Sequence, residues 1–130
     1  MRMLESKDDE TDVEVTWEDQ QRINTFSKLN ARVGDLEETL EQKKEEKDAL
    51  DDLATELELG DEDELVLYQV GEAFVHIRLP VAQARLQQDQ ENLEKEISSL
   101  RDKIEESETA MKELKVVLYG KFGKAINLDI

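Results

Sequence analysis

The chain has 130 residues, 39% of them charged and 5% aromatic, and its 34 acidic side chains outweigh 17 Lys and Arg to leave a net charge of −17. That length bounds it to one domain with little three-dimensional core, and that charge excludes nucleic acid or an anionic membrane surface as the main partner. With no cysteine, disulfides, thiolate catalysis and Cys-type zinc sites are excluded. No apolar run approaches the roughly 18 residues of a membrane span, and the polar start is unlike a signal peptide. The expected compartment is cytoplasmic, with a nuclear pool left open.

Residues 1–12 are polar, acidic and aperiodic, and read as a disordered acidic tail. Thr16-Trp17-Glu18-Asp19 follows as an N-cap with first-turn acids, opening a first helix expected over residues 16–59. Along it Phe26, Leu29, Val33, Leu36, Leu40, Lys43, Lys47, Leu50, Ala54 and Leu57 recur in alternating steps of three and four, the seam of a coiled coil. Gly34 interrupts this arm at a cost of about 1 kcal/mol relative to Ala. Leu59-Gly60 supplies the stop, and Asp61-Glu62-Asp63-Glu64 an acidic loop.

A β-hairpin is expected over residues 65–77. The segments 65–70 and 73–77 are rich in β-branched and aromatic residues, and Gly71-Glu72 between them suits a two-residue turn of the II′ kind. Pairing Val70 with Ala73 places Val66, Tyr68, Val70, Ala73, Val75 and Ile77 on one wholly apolar face. The other face, Leu65, Leu67, Gln69, Phe74, His76 and Arg78, is mixed. A lone two-stranded hairpin is marginal in water and exposes both edges. Since it lies beyond the end of the coil, its apolar face is expected to stay uncovered within the chain and to pair with hairpins of other chains.

Pro80 suits the first turn of a second helix, expected over residues 80–122. Its seam reads Leu86, Gln90, Leu93, Ile97, Leu100, Ile104, Ser107, Met111, Leu114 and Leu118. The two seams fit each other. With Ala54 opposite Leu86, an antiparallel zip sets Leu40 against Leu100, Leu36 against Ile104, Leu29 against Met111 and Phe26 against Leu114. In every pair the residue numbers add to the same value. At about 1.5 Å rise per residue, each arm would be roughly 60 Å long. The fold class is therefore mainly α: an antiparallel two-helix coiled coil joined by a single β-hairpin that associates between subunits.

Chemistry-bearing patterns are absent. His76 is the single histidine, and on the mixed hairpin face it reads as an interface residue rather than a titrating switch. Gly120-x-x-Gly123-Lys124 lacks the spacing and the Ser or Thr of a phosphate loop. The acidic loop has Val66 where a calcium loop needs its sixth-position Gly. Acid pairs such as Glu37 and Glu41 form a solvated outer face, where carboxylates gain none of the burial that catalytic pKa tuning requires. No enzyme, no cofactor and no metal site is expected. The leftover apolar set Trp17, Ile23, Phe26, Tyr119, Phe122, Ile126 and Leu128 collects where the two chain ends meet. It reads either as a local cap of the coil or as a loosely packed apolar tip that grips exposed hydrophobic segments of another protein. Residues 119–123 look like a fraying terminus, and Leu128 and Ile130 leave apolar groups in a tail. Lys43 and Lys47 face Ile97 and Leu93 in the seam. Either they snorkel, or they form a polar break that fixes register or softens the coil.

These residues carry a resemblance. Val15-Thr16-Trp17-Glu18-Asp19-Gln20-Gln21-Arg22-Ile23-Asn24, Tyr68-Gln69-Val70-Gly71-Glu72-Ala73-Phe74 and Leu118-Tyr119-Gly120-Lys121-Phe122-Gly123-Lys124-Ala125-Ile126-Asn127-Leu128 resemble the prefoldin family, in particular its eukaryotic subunit 4 branch of β-type subunits. The first and last stretches are specific and the hairpin is weakly diagnostic. The resemblance covers residues 13–130 and leaves residues 1–12 outside it. It implies a hetero-hexameric, ATP-independent chaperone in which hairpins of α- and β-type prefoldin subunits join into an intersubunit β-barrel. The oligomerisation hairpin would be Val66, Tyr68, Val70, Gly71, Ala73, Phe74, Val75 and Ile77. Coiled-coil tips would capture non-native actin- and tubulin-like clients for the cytosolic group II chaperonin. A plain coiled-coil scaffold or tether, with arms dimerising in parallel, stays open as the other reading; it would have no need of the hairpin.

Overall fold

Thr16 opens the first helix by a reciprocal cap. Its backbone N–H donates to Asp19 Oδ2 at 3.1 Å, the Asp19 N–H donates to Thr16 Oγ1 at 3.1 Å, and the Gln20 N–H reaches the Thr16 carbonyl at 3.0 Å. The Thr16 and Asp19 N–H groups, which a bare helix start would leave to water, are satisfied locally, and the Gln20 bond is the first of the regular helical ladder. The computed structural model describes residues 14–126 and Leu128, so the expected disorder of residues 1–12 and the apolar Ile130 lie outside the described residues. Helix α1 runs Trp17–Glu58 without a break at Gly34, strands β1 and β2 are Leu65–Val70 and Ala73–Arg78, and helix α2 is Leu79–Phe122. A short 3₁₀ turn, Gly123–Ala125, follows. Pro80 occupies the first turn of α2, where its missing N–H costs nothing.

The hairpin pairs as the alternation predicts: Val66 with Ile77, Tyr68 with Val75 and Val70 with Ala73, all antiparallel. Gly71 takes φ +62° while Glu72 keeps an ordinary negative φ, the combination of a type II′ turn, which matches strand twist. At the other end of the hairpin the Leu79 N–H donates to the Glu64 carbonyl at 3.0 Å, so α2 starts directly from the loop that closes α1.

The chain divides into two compact units. One joins α1 up to Glu38 with α2 from Asp102; the other is Thr39–Arg101. Each has its own apolar core. In the first, Ile23, Phe26, Leu118, Phe122, Ile126 and Leu128 are buried together. In the second, Leu57, Tyr68, Leu79, Ala82 and Leu86 form the centre, with Leu50, Leu53 and Ala54 packed against it. Polar contacts fix the register inside each unit. In the second, Gln83 Nε2 donates to the Leu57 carbonyl at 3.3 Å and Gln90 Nε2 to Asp51 Oδ1 at 2.7 Å. In the first, Lys121 meets Asp19 and the Lys115 ammonium lies 6.0 Å from the centroid of the Phe26 ring. Residues 57 and 83, like 19 and 121, obey the same level rule as Leu40 with Leu100 and Leu36 with Ile104.

That register makes a direct prediction. Cysteines placed at Leu36 and Ile104, or at Leu40 and Leu100, are expected to close intramolecular disulfides under mild oxidation, because facing a and d positions approach bridging distance. Non-reducing electrophoresis with peptide mapping reads the outcome, and exclusively intermolecular crosslinks would contradict the register.

Candidate functional site

The hairpin is the first candidate surface, and its wholly apolar face is partly covered within the chain. Tyr68 is only 5% exposed. Its ring sits among Leu57, Leu79, Ala82 and Leu86, with Val66, Val70 and Ile77 beside it. Its hydroxyl donates to Asp89 Oδ2 at 2.9 Å. Burial first, and then the neighbouring Asp89 carboxylate, push the phenol up to about 12, so it stays protonated and keeps donating at any physiological pH. The expectation that the Val66–Tyr68–Val70–Ile77 face is uncovered within the chain is therefore corrected. The second seam does not end at Leu86: it continues back through Ala82 to Leu79, and these two with Leu57 and Leu86 seat the inner face of β1.

Strand geometry then decides what is left outside. Because side chains alternate across a strand, fixing Tyr68 inward turns Leu65 and Leu67 outward, 61% and 57% exposed, with Phe74 at 61% on β2. Ala73 and Val75, assigned to the covered face by register, are also exposed, so β2 is less covered than β1. An open groove is lined by Leu67, Tyr68, Gln69, Gly71 and Phe74 of the hairpin together with Leu50, Leu53 and Asp89 of the helices. His76 stands exposed on the same outward face, directly across from Leu67.

The second candidate surface is the apolar set at the chain ends, and here most members are closed off. Ile23, Phe26, Phe122, Ile126 and Leu128 are buried in one cluster, with Tyr119 partly buried against it. The expectation of a frayed terminus with a loose, reachable apolar tip is corrected: the chain turns back after Phe122 and covers the helix ends. Gly123 at φ +56° ends α2 in the left-handed region that glycine enters freely, and the Leu128 N–H donates to the Tyr119 hydroxyl at 3.1 Å. Trp17 is the member that remains reachable, 73% exposed. Val116 and Val117, outside the expected set, are exposed on α2. Their i, i+1 spacing off the seam was the available signal.

In the first turn of α1 stands Asp19, a buried carboxylate whose sequence pattern pointed only to the helix cap. Besides the Thr16 N–H it accepts from Arg22 Nη1 at 2.9 Å and from the Lys121 ammonium. The Lys121 hydrogen bond, reinforced by Thr16, outweighs desolvation and holds the carboxyl down at about 2. A buried charge so fully hydrogen-bonded is what burial requires.

In the other unit the seam lysines snorkel. Lys43 Nζ reaches Glu96 at 3.2 Å and Glu46 at 3.5 Å; Lys47 Nζ reaches Asp51 at 3.1 Å and Glu94 at 3.7 Å. Their pKa values are raised chiefly by the Glu96 and Asp51 hydrogen bonds respectively, and Asp51 is held low by Lys47 and by Gln90. Among the described residues no group of three or more metal-ligating side chains is close enough to share an ion, and no helix is long and apolar enough to cross a membrane.

A helix pair carrying one hairpin defines a known fold. The arrangement superposes on the prefoldin beta subunit from Thermococcus strain KS-1 with a TM-score of 0.74, covering 85% of this chain and 96% of that one at 17% identity. The sequence profile of the prefoldin subunit family matches residues 20–125. Prefoldin subunit 4 of Saccharomyces cerevisiae is 44% identical over 116 residues, 89% of this chain and 90% of that protein. Prefoldin subunit 4 of Homo sapiens is 39% identical over 119 residues, 91% and 89% of the two chains. The chain belongs to the prefoldin subunit family.

The Asp19 network predicts a pH dependence. A carboxyl whose folded pKa is about 2 against an ordinary 3.8 stabilises the fold fully above roughly pH 4, and that contribution fades as pH falls through 2. Asp19→Asn is expected to lower the thermal midpoint of the helical circular-dichroism signal at pH 7 and to flatten its decline between pH 4 and 2. Parallel pH profiles for the two proteins would remove Asp19 from the account.

Proposed function

We propose that the chain is a β-type subunit of a hetero-hexameric prefoldin chaperone, assembled with α- and β-type prefoldin subunits through its hairpin. The observation that carries this is the outward hairpin face. Leu65, Leu67 and Phe74 are presented to solvent on a sheet that has two strands, and two unpaired edges, among the described residues, which is costly for a chain on its own. Strands of neighbouring subunits would satisfy the edges and cover the apolar side chains in one step. A plain coiled-coil tether leaves this face without a purpose.

The family relationship supports the rest of the reading: ATP-independent capture of non-native polypeptides such as nascent actin and tubulin, transfer to the cytosolic group II chaperonin, a cytoplasmic location and no catalysis. Of the expected client-contact residues, Trp17 is available at once. Ile23, Phe26, Phe122, Ile126 and Leu128 would contribute only after their shared core opens. The hairpin set proposed for assembly likewise divides. Ala73, Phe74 and Val75 with the Gly71 turn would meet other subunits directly, while Val66, Tyr68, Val70 and Ile77 hold the hairpin on its own helices.

The test separates these two groups. Leu67→Asp with Phe74→Asp is expected to leave the helical signal intact and to abolish co-purification with partner prefoldin subunits. Tyr68→Phe, which removes one hydrogen bond to Asp89, is expected to cost about 1 kcal/mol of stability and to leave assembly intact. A normal complex from the double aspartate variant would overturn the proposed interface.

A further inference from the structure

The first seam holds its only two charged residues in consecutive layers. Lys43 and Lys47 stand between Leu40 and Leu50, with side chains 31% and 28% exposed, and across from them Ile97 and Leu93 are buried to 6% and 8%. Each ammonium is shared between the helices. Lys43 Nζ lies 3.5 Å from Glu46 on α1 and 3.2 Å from Glu96 on α2; Lys47 Nζ lies 3.1 Å from Asp51 on α1 and 3.7 Å from Glu94 on α2. Gln90 of α2 donates to the same Asp51 at 2.7 Å. Glu46 and Asp51 travel with the lysines whatever lies across the seam. Glu94, Glu96 and Gln90 come only with α2.

The rest of that seam is apolar, so it would also fit a second copy of α1. In a parallel, in-register pair each seam residue meets its own copy. Leu40 then meets Leu40 and Leu50 meets Leu50, but Lys43 meets Lys43 and Lys47 meets Lys47. Two layers about 6 Å apart along the axis hold four ammoniums, and neither Glu94 nor Glu96 is there to receive them. We infer that Lys43 and Lys47 specify the partner of α1: they admit α2 and reject a second copy of α1. Ion pairs this exposed add little to stability, so the selectivity comes mainly from the cost of the wrong pair. A competitor is present when the choice is made. α1 ends at Glu58 and α2 starts at Leu79, so a chain growing from its N-terminus shows a finished α1 before its own α2 has been made. Neighbouring copies at the same stage expose the same seam. Rejecting them keeps the arm intramolecular and the hairpin at its bend.

The experiment refolds the full-length chain from denaturant over a range of concentrations, the step at which α1 chooses between its own α2 and another α1. The chain has no cysteine, so Leu40→Cys, introduced into every protein compared, reports an in-register α1 pair as a disulfide-linked dimer on non-reducing electrophoresis. Lys43→Leu with Lys47→Leu is expected to raise the linked fraction at least about tenfold over the lysine-bearing chain, because the like charges no longer oppose the competing pair. Equal linked fractions overturn the inference. Glu45→Cys, exposed on the outer face of α1, replaces the reporter in a control series and is expected to link far less than Leu40→Cys. Equal linkage from the two positions would be unspecific clustering, and overturns the inference as well. A second measurement reads the accepted pair. Glu94→Gln with Glu96→Gln is expected to lower the thermal midpoint of the helical circular-dichroism signal in the lysine-bearing chain and to leave it unchanged in the Lys43→Leu, Lys47→Leu chain, the coupling that a double-mutant cycle isolates. Equal shifts in both backgrounds would mean that α2 is not recognised through these acids, and would overturn the inference.

Discussion

Tyr68 couples the hairpin to the helices, and most of what can be said about function descends from that seat. Its ring fills the apolar space bounded by Leu57, Leu79, Ala82 and Leu86, and its hydroxyl finds Asp89. A tyrosine buried without a partner for its hydroxyl would be expensive; here both parts are satisfied. Because strand side chains alternate with a period of two, a single anchored residue assigns every other residue of β1 to a side. Leu65 and Leu67 are outward because Tyr68 is inward, and Phe74 follows through the register with Gln69.

The helices, the turn and the cap were legible in the sequence because each rests on local rules. Seam spacing, Thr16 with Asp19, and Gly71 at a two-residue turn needed no knowledge of the surroundings. The choice of hairpin face was not legible in the same way. Both faces carry large apolar residues, so composition could not rank them. The wholly apolar one looked uncovered, yet Tyr68 on it is buried against the helices, with Val66, Val70 and Ile77 partly buried beside it, while Ala73 and Val75 stay exposed. The missed signal was the continuation of the second seam backward from Leu86 through Ala82 to Leu79, which showed that the helices still had an apolar stripe to cover where the hairpin begins. The chain ends were misjudged for a related reason. Residues after Gly123 have no helical period, yet Ile126 and Leu128 are buried in the cluster at the helix ends.

Charge is organised around these cores instead of competing with them. Three polar positions of the seam, Lys43, Lys47 and Gln90, carry their charges or amides to acidic side chains at the rim, so no lone ion is buried there. Asp19 is the exception, buried and ionised, with Thr16, Arg22 and Lys121 supplying its hydrogen bonds. One residue thus caps α1 and ties it to α2 at the point where the chain ends come together in their own core.

The division of the hairpin into a retained face and an offered face is the central claim, and side-chain footprinting with hydroxyl radicals tests it most directly. The chain alone and the chain within its prefoldin complex would be oxidised in parallel and compared residue by residue. Phe74 and Leu67 are predicted to be reactive in the free chain and protected in the complex, while Tyr68 stays protected in both. Protection of Tyr68 that appears only on assembly, with Phe74 reactive throughout, would contradict the assignment of the two faces.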